Sequence, residues 1–189
     1  MPKRVVGWVS RSFRACRIVA SPLTQHITEY MERERKFFAT RRPSGLFRHP
    51  HTHIRQGYLT TSKRRDPIPI EVRVRDEDGT HVLTVKSGIG GCRSETEVSI
   101  TAAEYRALWP LTVGRRVEKV RYRIPMGKLT VEFDVYRGPL KGLLTAEVEF
   151  ESARQYRNFR PPHWLGHEVT GRDKFSNSRL AASAGPPRL

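Results

Sequence analysis

Charged side chains of both signs recur at a spacing of two along this chain, with apolar residues between them. Glu32 and Glu34, Glu95 and Glu97, and Glu147 and Glu149 form carboxylate pairs, and Arg73/Arg75 and Lys119/Arg121/Arg123 repeat the spacing with positive charge. In a β-strand successive side chains point to opposite faces, so residues i and i+2 share one face and the residue between them belongs to the other. Most of those intervening residues are apolar: Val72 and Val74 flank Arg73, Val148 separates Glu147 from Glu149, and Val131, Phe133 and Val135 alternate with Glu132 and Asp134. One strand of this kind is an ordinary half-buried strand with its charges in water. Six or more with the same habit read differently. A sheet closed into a barrel, with its apolar face outward under helices, gathers all the charged faces in one lumen. Repulsion and desolvation make such a lumen unstable unless opposite charges pair or a ligand carrying both signs fills it. A polyphosphate with divalent metal ions is such a ligand, because carboxylates hold the metals and guanidinium and ammonium groups hold phosphate oxygens.

The chain has 189 residues and 37% hydrophobic content, enough for one domain with a sizeable core. Its two cysteines, Cys16 and Cys92, make no disulfide framework and no zinc-binding spacing, so a reducing cytoplasm is the expected setting. No apolar run approaches the about 20 residues needed to span a membrane, and arginines interrupt the segment from Val5 to Ala20 where a signal peptide would be continuous. A soluble protein without a membrane partner is expected. The net charge of +16 invites a nucleic-acid reading. No helix-turn-helix, zinc knuckle or RNA-binding aromatic signature accompanies it, and much of the positive charge alternates with acids, so no specific nucleic-acid partner is expected.

Residues 1–30 read as a basic N-terminal extension, non-native or disordered, with Met31 as the natural start and a basic amphipathic arm as the functional alternative. Strands are expected over Glu32–Ala39, Ile54–Thr60, Ile70–Asp76, His81–Ser87, Arg93–Ile100, Val117–Ile124, Lys128–Tyr136 and Leu144–Phe150, with Asp78-Gly79 turning a hairpin. Arg41 to His53 reads as a loop, and its His49, His51 and His53 read as solvent-exposed rather than metal-binding. Thr101 with Glu104 and Ser152 with Gln155 are capping boxes that open short helices, ended by Pro110 and by Pro161-Pro162. Residues 181–189 form a small-residue tail expected to be disordered. The fold class is α+β, mainly β: an eight-stranded antiparallel closed tunnel barrel with a charged lumen and a few flanking helices.

Glu32-Arg33-Glu34-Arg35-Lys36-Phe37 resembles the ExExK signature of the CYTH family, the triphosphate tunnel metalloenzymes. The resemblance continues in order through Gln56-Gly57-Tyr58-Leu59, Val72-Arg73-Val74-Arg75, Leu83 to Gly88, and Arg93-x-Glu95-x-Glu97. It runs on through Lys119-x-Arg121-Tyr122, Asp134-Val135-Tyr136-x-Gly138, Ala146 to Glu149 and Trp164-Leu165-Gly166-x-Glu168-Val169-Thr170, and covers residues 31–180. It implies a tunnel that binds a triphosphate with Mg²⁺ or Mn²⁺, closed at one end by a C-terminal plug helix. Glu32, Glu34, Glu147 and Glu149 match the family's metal-binding acids, with Glu95, Glu97 and Asp134 as further ligands. Lys36, Arg73, Arg75, Lys86, Lys119, Arg121 and Arg123 match the substrate-binding bases. The expected chemistry is metal-assisted hydrolysis of a terminal phosphoanhydride, with Arg75 and Lys86 against the phosphates and Glu34 or Glu149 orienting the attacking water.

Family members act on inorganic tripolyphosphate, thiamine triphosphate or nucleotides, or are class IV adenylyl cyclases. An organic group needs an apolar or aromatic pocket at the tunnel mouth, and the sequence offers none, which favours inorganic tripolyphosphate. Adenylyl cyclase, or a nucleotide or thiamine triphosphatase, is the alternative, and a polyphosphate-binding module without turnover is a third reading. The expected partner is a small anionic substrate, and the expected state a monomer or homodimer.

Overall fold

The computed structural model describes residues 27–29, 33–61, 70–89 and 92–189. Met31, Glu32, Cys16 and all of the N-terminal extension except residues 27–29 lie outside the described residues. Alternation produces strands wherever it was expected: β1 (Ile27–Glu29), β2 (Glu34–Phe38), β3 (His51–Thr61), β4 (Ile70–Glu77), β5 (Thr80–Ile89), β6 (Cys92–Ser99), β7 (Arg116–Met126), β8 (Leu129–Tyr136), β9 (Leu144–Glu149) and β10 (His167–Glu168). They form one antiparallel sheet in the order β1-β6-β5-β4-β3-β7-β8-β9-β2-β10. The closed eight-stranded barrel expected from the sequence is therefore corrected: among the described residues the sheet has ten strands and does not close. The physical reason lies at its edges. Closure would join β6 to β2, but β1 pairs with the free side of β6 and β10 with the free side of β2. Both edges are thus already occupied by very short strands. The sheet still curls strongly, because β2 and β6, each next to one end of the strand order, line the same cavity.

Local chemistry sets the connections. Asp78 (φ 47°) and Gly79 (φ 90°) both adopt positive φ in the two-residue turn joining β4 to β5, the geometry that matches strand twist. Helix α1 (Ala102–Leu108) opens with the Thr101/Glu104 capping box and α2 (Ala153–Asn158) with Ser152/Gln155, as the sequence predicts. His51 and His53, expected in a loop, belong to β3: a 3-10 turn at Leu46–Arg48 ends the loop, and the strand then begins three residues early. Both imidazoles are exposed, on the face that carries Val120 and Tyr122 of β7.

Two apolar clusters hold the trough. On the outer face Phe37, Val120, Phe133, Ala146 and Val148 pack with Phe150, Phe159 and Leu165 from the segments around α2. The second cluster contains Tyr58, Val117, Tyr136, Leu140 and Leu143, together with Leu180 and Ala181 of α3 (Asn177–Ala181). Tyr58, Val117 and Tyr136 share strand parity with the charged residues, so α3 covers one end of the charged face.

Candidate active site

The charged face encloses a cavity of about 810 Å³. Strand parity explains its lining. β2 contributes Glu34 and Lys36, β3 Gln56 and Tyr58, β4 Glu71, Arg73 and Arg75, β5 Lys86, β6 Glu95 and Glu97, β7 Lys119 and Arg121, and β9 Glu147 and Glu149. The segment before α3 closes it with Arg172, Asp173, Phe175 and Ser176.

One wall is a continuous buried chain of alternating charges. Lys36 Nζ lies 2.7 Å from Glu147, Glu147 accepts from Arg121 at 2.7 Å, Arg121 donates twice to Asp134 at 2.7 and 2.8 Å, and Lys119 Nζ lies 2.5 Å from Asp134. Arg121 also donates to Glu132, the cross-strand neighbour of Glu147. Exposures of 7% for Lys36, 8% for Glu147, 3% for Lys119 and 0% for Asp134 put this chain out of water. Burial works against the charge on Glu147, but Lys36 and Arg121 outweigh it and hold the carboxyl well below its usual range. Asp134 is likewise held down by Arg121 and Lys119 against its burial. Burial also works against the ammonium of Lys36, and Glu147 more than compensates, so its pKa rises. Lys119 is pushed down by burial and by the neighbouring Arg121. Asp134, expected among the metal ligands, is thus placed beneath the cavity as the counterion of Lys119 and Arg121.

The opposite wall is a looser lattice. Lys86 lies 2.9 Å from Glu95, Arg73 3.5 Å from Glu95, and Arg75 3.3 Å from Glu97, which also accepts from Thr84. Glu95 and Glu97 therefore stand among the basic residues. The Nε atoms of Arg73 and Arg75 are buried and make no hydrogen bond; Glu77 lies 3.3 Å from Arg75 Nε but without the alignment of one. Guanidinium and ammonium groups gathered on a cavity wall suit an oxygen-rich anion.

Glu34 and Glu149 face each other as direct cross-strand partners on β2 and β9. Like charges so placed repel, and a divalent cation between or beside them removes the repulsion, so this pair fits a hard metal ion. Among the described residues no group of three or more acid, imidazole or thiol side chains is arranged to hold a metal. Glu32 lies outside the described residues.

Arg123 is not brought to the cavity; its guanidinium donates to Thr52 at 2.7 Å. The lining residues that the sequence does not single out include Glu71, Arg33 and the segment before α3. Glu71 continues the series with Arg73 and Arg75, so its signal was present in the spacing. Arg33 lines the cavity beside Glu34 because it precedes the first residue of β2 and escapes the strand's alternation.

No family model matches the chain. Among known proteins, an inorganic triphosphatase of Nitrosomonas europaea is 43% identical over 155 residues, which span 80% of this chain and 97% of its own. An inorganic triphosphatase of Acetivibrio thermocellus is 34% identical over 128 residues, 67% of this chain and 78% of its own. A crystal structure of an inorganic triphosphatase superposes with a TM-score of 0.62 at 38% identity, covering 79% of this chain and 97% of that one. With this fold and this charged cavity, the chain belongs to the CYTH family, the triphosphate tunnel metalloenzymes. The relatives it matches over most of its length are inorganic triphosphatases.

Proposed function

We propose that the chain hydrolyses inorganic tripolyphosphate to pyrophosphate and orthophosphate with a divalent cation, Mg²⁺ or Mn²⁺, in the cytoplasm, as a monomer or homodimer. The observation that carries the reading is one cavity lined by Arg73, Arg75 and Lys86 and also by the cross-strand Glu34/Glu149 pair. The identity to curated inorganic triphosphatases supports the same substrate.

Arg73, Arg75 and Lys86 bind and orient the phosphate oxygens of the substrate on one side, and Lys36, Lys119 and Arg121 supply positive potential on the other. Glu95 and Glu97 keep that basic wall in place, ready to exchange their arginine contacts for substrate oxygens. Glu34, Glu147 and Glu149, with Glu32, are the acids assigned to the cation, which when bound supplies Lewis acidity at the phosphate oxygens. Glu149, the more exposed of the cross-strand pair, orients the attacking water and takes its proton. The new bond runs from the water oxygen to the terminal phosphorus, the bond to the bridging oxygen breaks, and pyrophosphate leaves against the basic residues. Among the described residues no aromatic shelf for a nucleobase or thiazolium lines the cavity; the aromatic members there, Tyr58 and Phe175, are buried.

Phosphate release from tripolyphosphate, ATP and thiamine triphosphate, each with Mg²⁺, Mn²⁺ or chelator, tests this. Selective metal-dependent release from tripolyphosphate is expected. Cyclic AMP from ATP would replace the reading with adenylyl cyclase, and tight binding without turnover of any substrate would make the chain a binding module.

A further inference from the structure

The outer face of β3 carries two histidines for which the charged cavity has no use. Ile54, Gln56 and Tyr58 of this strand line the cavity, and His51 and His53 have the opposite parity, so they face away from it. Neither belongs to the motifs that carry the family resemblance, which pass from Phe37 directly to Gln56. In a loop two imidazoles have no fixed spacing, whereas in a strand residues i and i+2 project side by side from one face. The two rings lie there with centroids 6.0 Å apart and planes inclined at 67°. We propose that His51 and His53 form a surface site for one divalent transition-metal ion, of the class of Zn²⁺, Cu²⁺ or Ni²⁺, separate from the charged cavity.

Spacing is the first support. A metal ion bonded to two imidazole nitrogens at about 2.0–2.1 Å holds the ring centroids about 5 Å apart in tetrahedral geometry and about 6.4 Å apart when the nitrogens are opposed. The observed 6.0 Å falls between these limits. Availability is the second. Both side chains are exposed, and among the described residues neither imidazole makes a hydrogen bond or an ion pair with the protein. What else they touch is aromatic: His51 lies against Tyr122 at 5.3 Å, and Phe47 packs edge-on against the same tyrosine. Charge is the third. Asp78 Oδ1 accepts from the His53 amide at 3.2 Å, which sets a carboxylate beside the pair. Arg55, the next residue on this face, is the cation that would repel a metal, but Glu118 lies 3.7 Å from it and its guanidinium sits over Trp109 at 4.8 Å. Imidazole nitrogen suits Zn²⁺, Cu²⁺ and Ni²⁺, whereas Mg²⁺ takes oxygen, so ligand type alone separates this site from the carboxylates of the cavity. Among the described residues no third acid, imidazole or thiol side chain joins the pair, which leaves the remaining coordination positions to water.

The test uses the full chain with Mg²⁺ in excess to compete for the carboxylates. Zn²⁺ is titrated calorimetrically into the parent, His51→Gln and His53→Gln, and electron paramagnetic resonance of one added equivalent of Cu²⁺ counts the nitrogens bound to it. The parent should bind one equivalent of Zn²⁺ and show two imidazole nitrogens on Cu²⁺. Each substitution should weaken Zn²⁺ by about a hundredfold, because the second imidazole no longer binds intramolecularly, and should leave one nitrogen on Cu²⁺. Parent-like Zn²⁺ affinity in both variants, or a loss in one variant alone, would overturn the site. A single nitrogen, or none, on Cu²⁺ in the parent would overturn it without recourse to any variant.

Discussion

Asp134 illustrates how much a single side chain here does without touching solvent. It is fully buried and neutralises both Lys119 and Arg121, which face the cavity. Asp134→Asn would leave two buried cations with one fewer counter-charge, and breaking a buried ion pair by removing one partner costs about 3–5 kcal/mol. We expect a loss of that order in denaturant unfolding; a variant as stable as the parent would show that Asp134 is not the counterion that its contacts make it. Arg75→Ala and Lys86→Ala probe the other wall, where the side chains are less buried and their acids partly exposed. Each should lower kcat by about a hundredfold or more while the unfolding midpoint barely moves, because a lost donor to transition-state charge costs about 2.7–4 kcal/mol. Unchanged turnover in both variants would remove the basic wall from the mechanism.

At the scale of elements, β2 carries Glu34 and Lys36 on one face and is strapped from the other. Arg35 donates to both carboxylate oxygens of Glu168, at 2.9 and 2.5 Å, and to the Phe159 carbonyl at 3.1 Å. The Val169 amide donates to the Lys36 carbonyl at 2.8 Å, and the Thr170 hydroxyl accepts from the Lys36 amide at 3.0 Å. Glu168→Gln should therefore raise the metal concentration needed for half-maximal activity and speed hydrogen exchange of the β2 amides, with those of β4 and β5 unchanged; uniform exchange across the sheet would count against a local strap. Gly57 is a second point of contact between elements, since a Cβ there would meet the Thr112 side chain at 2.5–2.8 Å. Gly57→Ala should lower stability by about 1–3 kcal/mol, the range for overpacking, as read by thermal unfolding. The strands, both capping boxes and the Asp78-Gly79 turn were legible because each is written in neighbouring residues. The open edges were not: whether β6 joins β2 depends on two strands of two and three residues, and Glu168 in β10 shows no alternation that a sequence can display. The depth of Asp134 is illegible for a related reason. Parity places it on the charged face, but only the packing of Lys119 and Arg121 over it sets its depth.

The whole molecule carries a charge of +16, and its buried acids work against self-repulsion as well as holding the site together. Asp134 and Glu147 both titrate below their ordinary values of 3.8 and 4.5 when folded. A carboxylate with a depressed folded pKa contributes stability that is fully present above its unfolded pKa and is lost as pH falls towards the folded one. The unfolded chain therefore takes up protons first, and acid destabilisation should begin just below pH 4.5 and steepen downward. Lys36 has the opposite sign: its folded pKa is raised above 10.5, so its contribution is complete below that pH and is lost only as pH rises beyond it. Acid instability should consequently trace to the two carboxylates, with protonation adding positive charge to a chain already in excess. Denaturant midpoints measured from pH 7 to pH 3 should fall more shallowly below pH 4.5 in Glu147→Gln than in the parent, from a lower starting value at neutral pH. If the variant's acid limb is as steep as the parent's, the pH dependence belongs to other acids, and the buried chain from Lys36 to Lys119 is not what acid dismantles.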